Sequence, residues 1–267
     1  MTDDSIFLHE DAEYLARQLF GNDDKKCASF IARLVGICQQ AQTKDILIIH
    51  NPGGWGDTPL ERCQQWERSI VEGVSQTIEN MGYTRLVIQH FRTGIGLKEK
   101  VQDIKEQANF FNTKAWMMAT ELRFICRHVT PLRIILIGVS QGAAFTNAVL
   151  QVAPELDGTY SIEVGTPALP FSYLSRRVIT KQTLALDNNG IKPDRVVEVN
   201  LWAMFAAVSA APFRYLKYRL QGKPIKLTYC INVPGHDYNW EYPKVRQQIE
   251  NFLTVCLGTR SRVGGKR

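Results

Sequence analysis

A serine hydroxyl becomes a useful nucleophile when it is held clear of its surroundings and given a base to take its proton. Ser140 has the first condition written around it. It lies in Gly138-Val139-Ser140-Gln141-Gly142, directly behind the apolar run 132–137 and directly before the helix-like stretch 143–152. Strand, Gly-x-Ser-x-Gly, helix is the layout of a nucleophile elbow, where a sharp turn lifts the hydroxyl off the end of a sheet. Glycines suit so tight a turn because a β-carbon would clash where backbone meets backbone. The base needs a pKa near 7, which points to histidine. His236, in Gly235-His236-Asp237, follows the apolar run 225–233 and precedes the helical stretch 243–257. The other four are less well placed. His9 precedes the alternating region, His128 ends a helix, and His50 and His90 end early strands, with His50 read as structural.

The elements that would position these groups alternate along the chain. Residues 1–44 read as a helical N-terminal extension, with amphipathic stretches 9–20 and 26–40 separated by Gly21-Asn22-Asp23-Asp24. Strand-like runs follow at 46–50, 84–89, 133–137, 160–164, 196–200 and 225–233. Between them, 60–80 has helical spacing with Trp66, Ile70, Val74 and Ile78 on one face. The stretch 98–126 is helical with a break near 109–112, and 143–152 and 243–257 are helical. This order predicts an α/β fold, a mostly parallel central sheet with helices on both faces, over 45–258, ending in a basic flexible tail, 259–267. In such sheets ligands bind beyond the carboxyl ends of the strands. The residues there are His50-Asn51-Pro52-Gly53-Gly54, His90-Phe91-Arg92, Ser140, Gly165-Thr166-Pro167 and Pro234-Gly235-His236-Asp237.

Over residues 45–257 this arrangement resembles the α/β-hydrolase superfamily, in particular its lipase- and esterase-like serine hydrolases. The resemblance implies Ser140 as nucleophile and His236 as base. It makes His50-Asn51-Pro52-Gly53-Gly54-Trp55-Gly56 similar to an oxyanion loop. Pro52 has no N–H, so Gly53 or Gly54 would donate, with the Gln141 N–H as the second donor. No cofactor is implied. The third member, a carboxylate that orients the histidine, has no obvious occupant. In lipase-like members, DDHD-type phospholipases included, it follows a strand ending in Asn, inside a Phe-Asp-Pro-Val-like stretch. Here Asn200 is followed by Phe205-Ala206-Ala207-Val208, with Ala206 where the Asp would stand, and Gly165-Thr166-Pro167 leaves the other usual position empty.

Asp187, in Leu186-Asp187-Asn188-Asn189-Gly190, is the replacement acid this reading selects. Asp194 falls at the wrong end of the expected strand 196–200, Glu198 falls within it, and Asp237 adjoins His236. Asn200 or a backbone carbonyl could also hold the imidazole. The expectation is hydrolysis of an ester or thioester, lipid esters included, through an acyl-serine. The alternative is a non-catalytic protein of the same fold that binds a lipid or a protein partner. The apolar stretch 201–213 could be a core helix, line an acyl site or form a lid.

Composition bounds these readings. With 267 residues, 45% hydrophobic and 22% charged, the chain suits one α/β domain with extensions and a sizeable core. The net charge of +6 is partly local, at Lys217, Arg219, Lys223 and Lys226 and in the tail at Arg260, Arg262, Lys266 and Arg267. Such clusters are solvated surface, or they attract an anionic membrane. Nothing points to base-specific nucleic-acid binding. Cys27, Cys38, Cys63, Cys126, Cys230 and Cys256 form no C-x-x-C pair, which predicts reduced thiols in a cytosol-like compartment. No metal-ligand spacing is visible. Met1-Thr2-Asp3-Asp4 does not open a secretory signal. The longest apolar run, 201–213, falls short of the ~18 residues of a spanning helix. A cytoplasmic protein, at most peripheral to a membrane, is expected.

Overall fold

Ile, Leu and Val fill nearly every position of the central strands, so both faces of the sheet must be covered. The computed structural model describes residues 3–94, 96–167, 176–222 and 227–258. Five strands, β1 (Ile46–Asn51), β2 (Arg85–Gln89), β3 (Arg133–Val139), β4 (Thr159–Val164) and β5 (Thr183–Leu186), form one sheet. Their order is β2-β1-β3-β4-β5 and every pairing is parallel. The protein is therefore an α/β fold, and an N-terminal helical extension precedes the sheet.

Eight helices accompany the sheet among the described residues. They are α1 (Asp3–Phe20), α2 (Asp24–Ala41), α3 (Gln65–Asn80), α4 (Leu97–Ala108), α5 (Asn112–His128), α6 (Gln141–Val152), α7 (Leu201–Leu220) and α8 (Pro243–Leu257). Side chains alternate across a strand, and the core divides accordingly. Leu47, Ile49, Ile134 and Leu136 meet Leu34 of α2, Leu122 of α5 and Phe145 of α6 on one face. Ile46, Ile48, Ile135 and Ile137 meet Ile70 and Val74 of α3 and Ile249 and Leu253 of α8 on the other. α1 and α2 share the first of these cores through Leu8, Ala12, Ala16 and Leu34.

Register sets the functional edge. Asn51 pairs with Gly138, Val139 with Val164, and Val164 with Leu186, so the carboxyl ends of four strands finish level. The break expected near 109–112 is real: Phe110 and Phe111 take φ of 53° and 56° between α4 and α5.

Two expected strands are not formed. Residues 195–199 are turn rather than sheet, with Val199 at φ 55°, and the sheet position is filled instead by β5. In the expected strand 225–233, Leu227–Cys230 is a single 3-10 turn and 231–233 is irregular. Residues 225 and 226 lie outside the described residues, as do Lys223 and the tail 259–267. All six cysteines are free. Among the described residues, no helix is long and apolar enough to cross a membrane.

Candidate active site

Ser140 leaves β3 at φ 52°, ψ −121°, a conformation L-residues rarely hold, and α6 begins at the next residue. Strain of this kind costs about 1–3 kcal/mol and persists only where the surroundings enforce it. The enforcement comes from both motif glycines. A β-carbon on Gly138 would lie 2.6 Å from Ala143 Cα, and one on Gly142 would overlap Asn51 O. Thr146 ties the two segments, donating to Gly142 O at 2.8 Å and accepting from Asn51 Nδ2 at 3.2 Å. The Ser140 N–H donates to Val164 O at 2.8 Å, which fixes the turn to the end of β4.

His236 stands over that same strand end. A β-carbon on Gly165, the residue after Val164, would sit 2.8 Å from His236 Cε1. The imidazole Nδ1 lies 2.8 Å from Asp194 Oδ2. Asp194 is fully buried and well supplied with donors. Tyr238 O–H donates to Oδ2 at 2.6 Å, and the Val196 and Val197 N–H groups donate to Oδ1 at 2.8 and 3.4 Å. Burial, together with the Asp194 charge, pushes the Tyr238 phenol up, so it stays a donor. Trp66 and Tyr238 flank the imidazole, with ring centroids 6.2 Å from it.

The acid expected at Asp187 is not on the histidine. Both Asp187 oxygens accept from Arg177 Nη1, at 2.8 and 3.1 Å. The carboxylate that meets His236 is Asp194, which the expected strand 196–200 had placed at the wrong end. Without that strand, 187–200 is one loop, and it doubles back onto the histidine loop. Arg195 N–H donates to Pro234 O, and Asn189 Nδ2 donates to Gly235 O and Asp237 O. Gly235, at φ 82°, is required here because a β-carbon would overlap Pro193 O. Asp-plus-two N–H capture is ordinary Asx-turn chemistry, and it is the local signal that could have marked Asp194. Asn200 caps α7 by accepting from Ala203 N–H, and Ala206 is exposed on that helix. Glu198 pairs with Arg195, and Asp237 accepts from Tyr242 O–H.

The glycine loop after β1 lies against the elbow. A β-carbon on Gly53 would be 3.3 Å from Val139 O and 3.6 Å from Ser140 Cβ. Its expected role as a donor is altered: the Gly53 N–H is taken by Glu67 Oε1 at 3.2 Å. Glu67 Oε1 also lies 3.0 Å from His50 Nε2, so His50 is a buried loop support, as expected. Arg92 holds the loop by donating to Pro52 O at 2.7 Å and Gly54 O at 2.6 Å, with its guanidinium over the Phe111 and Phe145 rings. The Gly54 N–H donates to Gln141 Oε1 at 3.1 Å, and the Ser140 hydroxyl donates to the same oxygen at 3.0 Å. A carbonyl oxygen thus already sits between the serine and a backbone donor. The Gln141 N–H opens α6, where the first amides have no intrahelical acceptor.

The arrangement holds a strained serine, an imidazole oriented through Nδ1 by a buried carboxylate, and backbone donors beside the serine. Those are the parts that acyl transfer uses. Comparison with protein-family models and with curated protein sequences gives no match for this chain.

Proposed function

We propose that the chain is a serine hydrolase of the α/β-hydrolase kind that cleaves an ester or thioester through an acyl-serine. The observation that carries this reading is the pairing of half-buried His236 with fully buried Asp194 at the sheet edge where Ser140 is strained. With Nδ1–H held by Asp194, Nε2 is the nitrogen that takes a proton.

Ser140 Oγ attacks the substrate carbonyl carbon while His236 Nε2 accepts the hydroxyl proton. Asp194 steadies the imidazolium through Nδ1–H. The N–H groups of Gln141 and Gly54 donate to the developing oxyanion, once the Gln141 side chain yields its place. The tetrahedral adduct collapses, and His236 returns the proton to the departing alcohol or thiol. Water, deprotonated by the same nitrogen, then attacks the acyl-serine, frees the acid and restores Ser140. No cofactor enters this sequence. Six free thiols suit a reducing, cytoplasm-like compartment.

The non-catalytic alternative rested on a missing acid, and Asp194 now stands at the imidazole. A fluorophosphonate probe tests the proposal. Wild-type protein is labelled and Ser140→Ala is not. Folded wild type that resists the probe, or equal labelling of both proteins, overturns it.

A further inference from the structure

Helix α7 wears its apolar side outward. Ala207 seats it against Val196 and Val233, with Met204 and Ile231 at the margin, and Ala211, one turn on, is buried as well. Those small residues are its only buried ones. On the other side Trp202, Phe205, Phe213, Leu216 and Leu220 are 78, 63, 77, 59 and 81% exposed. At about 100° per residue these five share one stripe, and Lys217 and Arg219 fall on opposite sides of it. A contiguous apolar face of this kind marks an interaction surface.

Charge on the same helix narrows the partner. α7 contains Arg214, Lys217 and Arg219 and no carboxylate. Its C-terminal half lines a cleft of about 1580 Å³, to which Arg62 and Lys192 add two more cations. None of these five makes an ion pair with a carboxylate among the described residues. Gly235 and Asp237, on either side of His236, also lie in the cleft wall. A second copy of the chain is a poor match, because two such helices would bring cations together with no acidic partner on either. An anionic bilayer answers both features: acyl chains for the stripe, and phosphates for the cations that flank it.

We propose that α7 is an interfacial helix that docks the protein on an anionic phospholipid surface, its apolar stripe among the acyl chains and its cleft facing the headgroup phosphates. The helix starts seven residues after Asp194, so docking sets the His236 side of the site against the bilayer. That a lipid ester then serves as substrate rests on the hydrolase reading; the docking itself does not.

Co-sedimentation of the full chain carrying Ser140→Ala, with phosphatidylcholine vesicles with and without phosphatidylglycerol, tests this. The protein binds the phosphatidylglycerol vesicles and binds them less as salt rises. Phe205→Ser with Phe213→Ser, both exposed, weakens binding at least ~100-fold while circular dichroism is unchanged. Lys217→Gln with Arg219→Gln weakens it by about 25-fold. Absence of binding by the parent, binding indifferent to both pairs of substitutions, or a solution dimer that the serine pair makes monomeric overturns the proposal. Vesicle binding without probe labelling of wild type would leave the docking standing and remove the hydrolase reading.

Discussion

His236 and Asp194 meet at 2.8 Å although 42 positions separate them, and Tyr238 closes on the same carboxylate oxygen at 2.6 Å. One carboxylate therefore gathers two side chains from the histidine loop and two backbone amides from its own turn. That carboxylate is rigidly held before any substrate arrives, so it can fix the imidazole without reorganising.

Asp194→Asn removes the charge that steadies the imidazolium, with little change of shape. Turnover of a chromogenic ester falls by about 10³–10⁴. Asp187→Asn leaves turnover within a few-fold of wild type, because its carboxylate serves Arg177. Steady-state kinetics on the two proteins checks this, and the reverse ranking would return the role to Asp187.

Four of the five strands, β1 to β4, could be read from sequence, most plainly β1 and β3 whose apolar residues run without interruption, and with β3 came the elbow at Ser140. His236 was legible from its place before the closing helix. Asp194 was not, because Val196-Val197-Glu198-Val199 has the β-branched look of a strand, yet Val199 turns at positive φ and β5 already fills the sheet position. Local propensity lost to tertiary pairing there. The capture of the Gly53 N–H was equally hidden. It depends on Glu67, which α3 swings under the loop from 14 residues away. The stretch 201–213 reads in the sequence as core helix, acyl-site wall or lid alike, since composition alone does not say which side of a helix is covered.

Gly165 has no room for a side chain. Its φ is 59°, and a β-carbon would lie 2.8 Å from His236 Cε1 and 2.9 Å from Tyr238 Cε2. Gly165→Ala thus carries about 1–2 kcal/mol of backbone strain and displaces the imidazole. Turnover drops by about 100-fold or more, a loss on the scale of a 1 Å misplacement. Calorimetry shows a lowered Tm with a cooperative transition retained. Unchanged kinetics would mean that His236 does not work from this position.

Gln141 holds both the Ser140 hydroxyl and the Gly54 N–H through one side-chain oxygen. Substrate must break the first bond and claim the second. A hydrogen bond of this kind is worth about 1 kcal/mol net, so Gln141→Ala raises the second-order rate of fluorophosphonate labelling about fivefold. The backbone donor at 141 is untouched by the change. A slower rate would show that the side chain assists the nucleophile instead of restraining it.

Glu163, fully buried on β4, is a group whose ionisation couples the fold to pH. Burial pushes its carboxyl from 4.5 up to about 7, against the opposing pull of Arg177 and of hydrogen bonds from Asn147 and Ser161. Its folded-state value lies above its unfolded one, so the native chain keeps a proton that the unfolded chain releases. The stability from this group is full below pH ~4.5 and is lost as pH rises through about 7, a change of about 3 kcal/mol. Glu163→Gln keeps the shape and has no proton to lose. Denaturant titrations across this window therefore show wild type falling relative to the variant as pH rises. Parallel curves would mean that Arg177, only 9% exposed and 3.2 Å away, keeps the carboxylate ionised throughout.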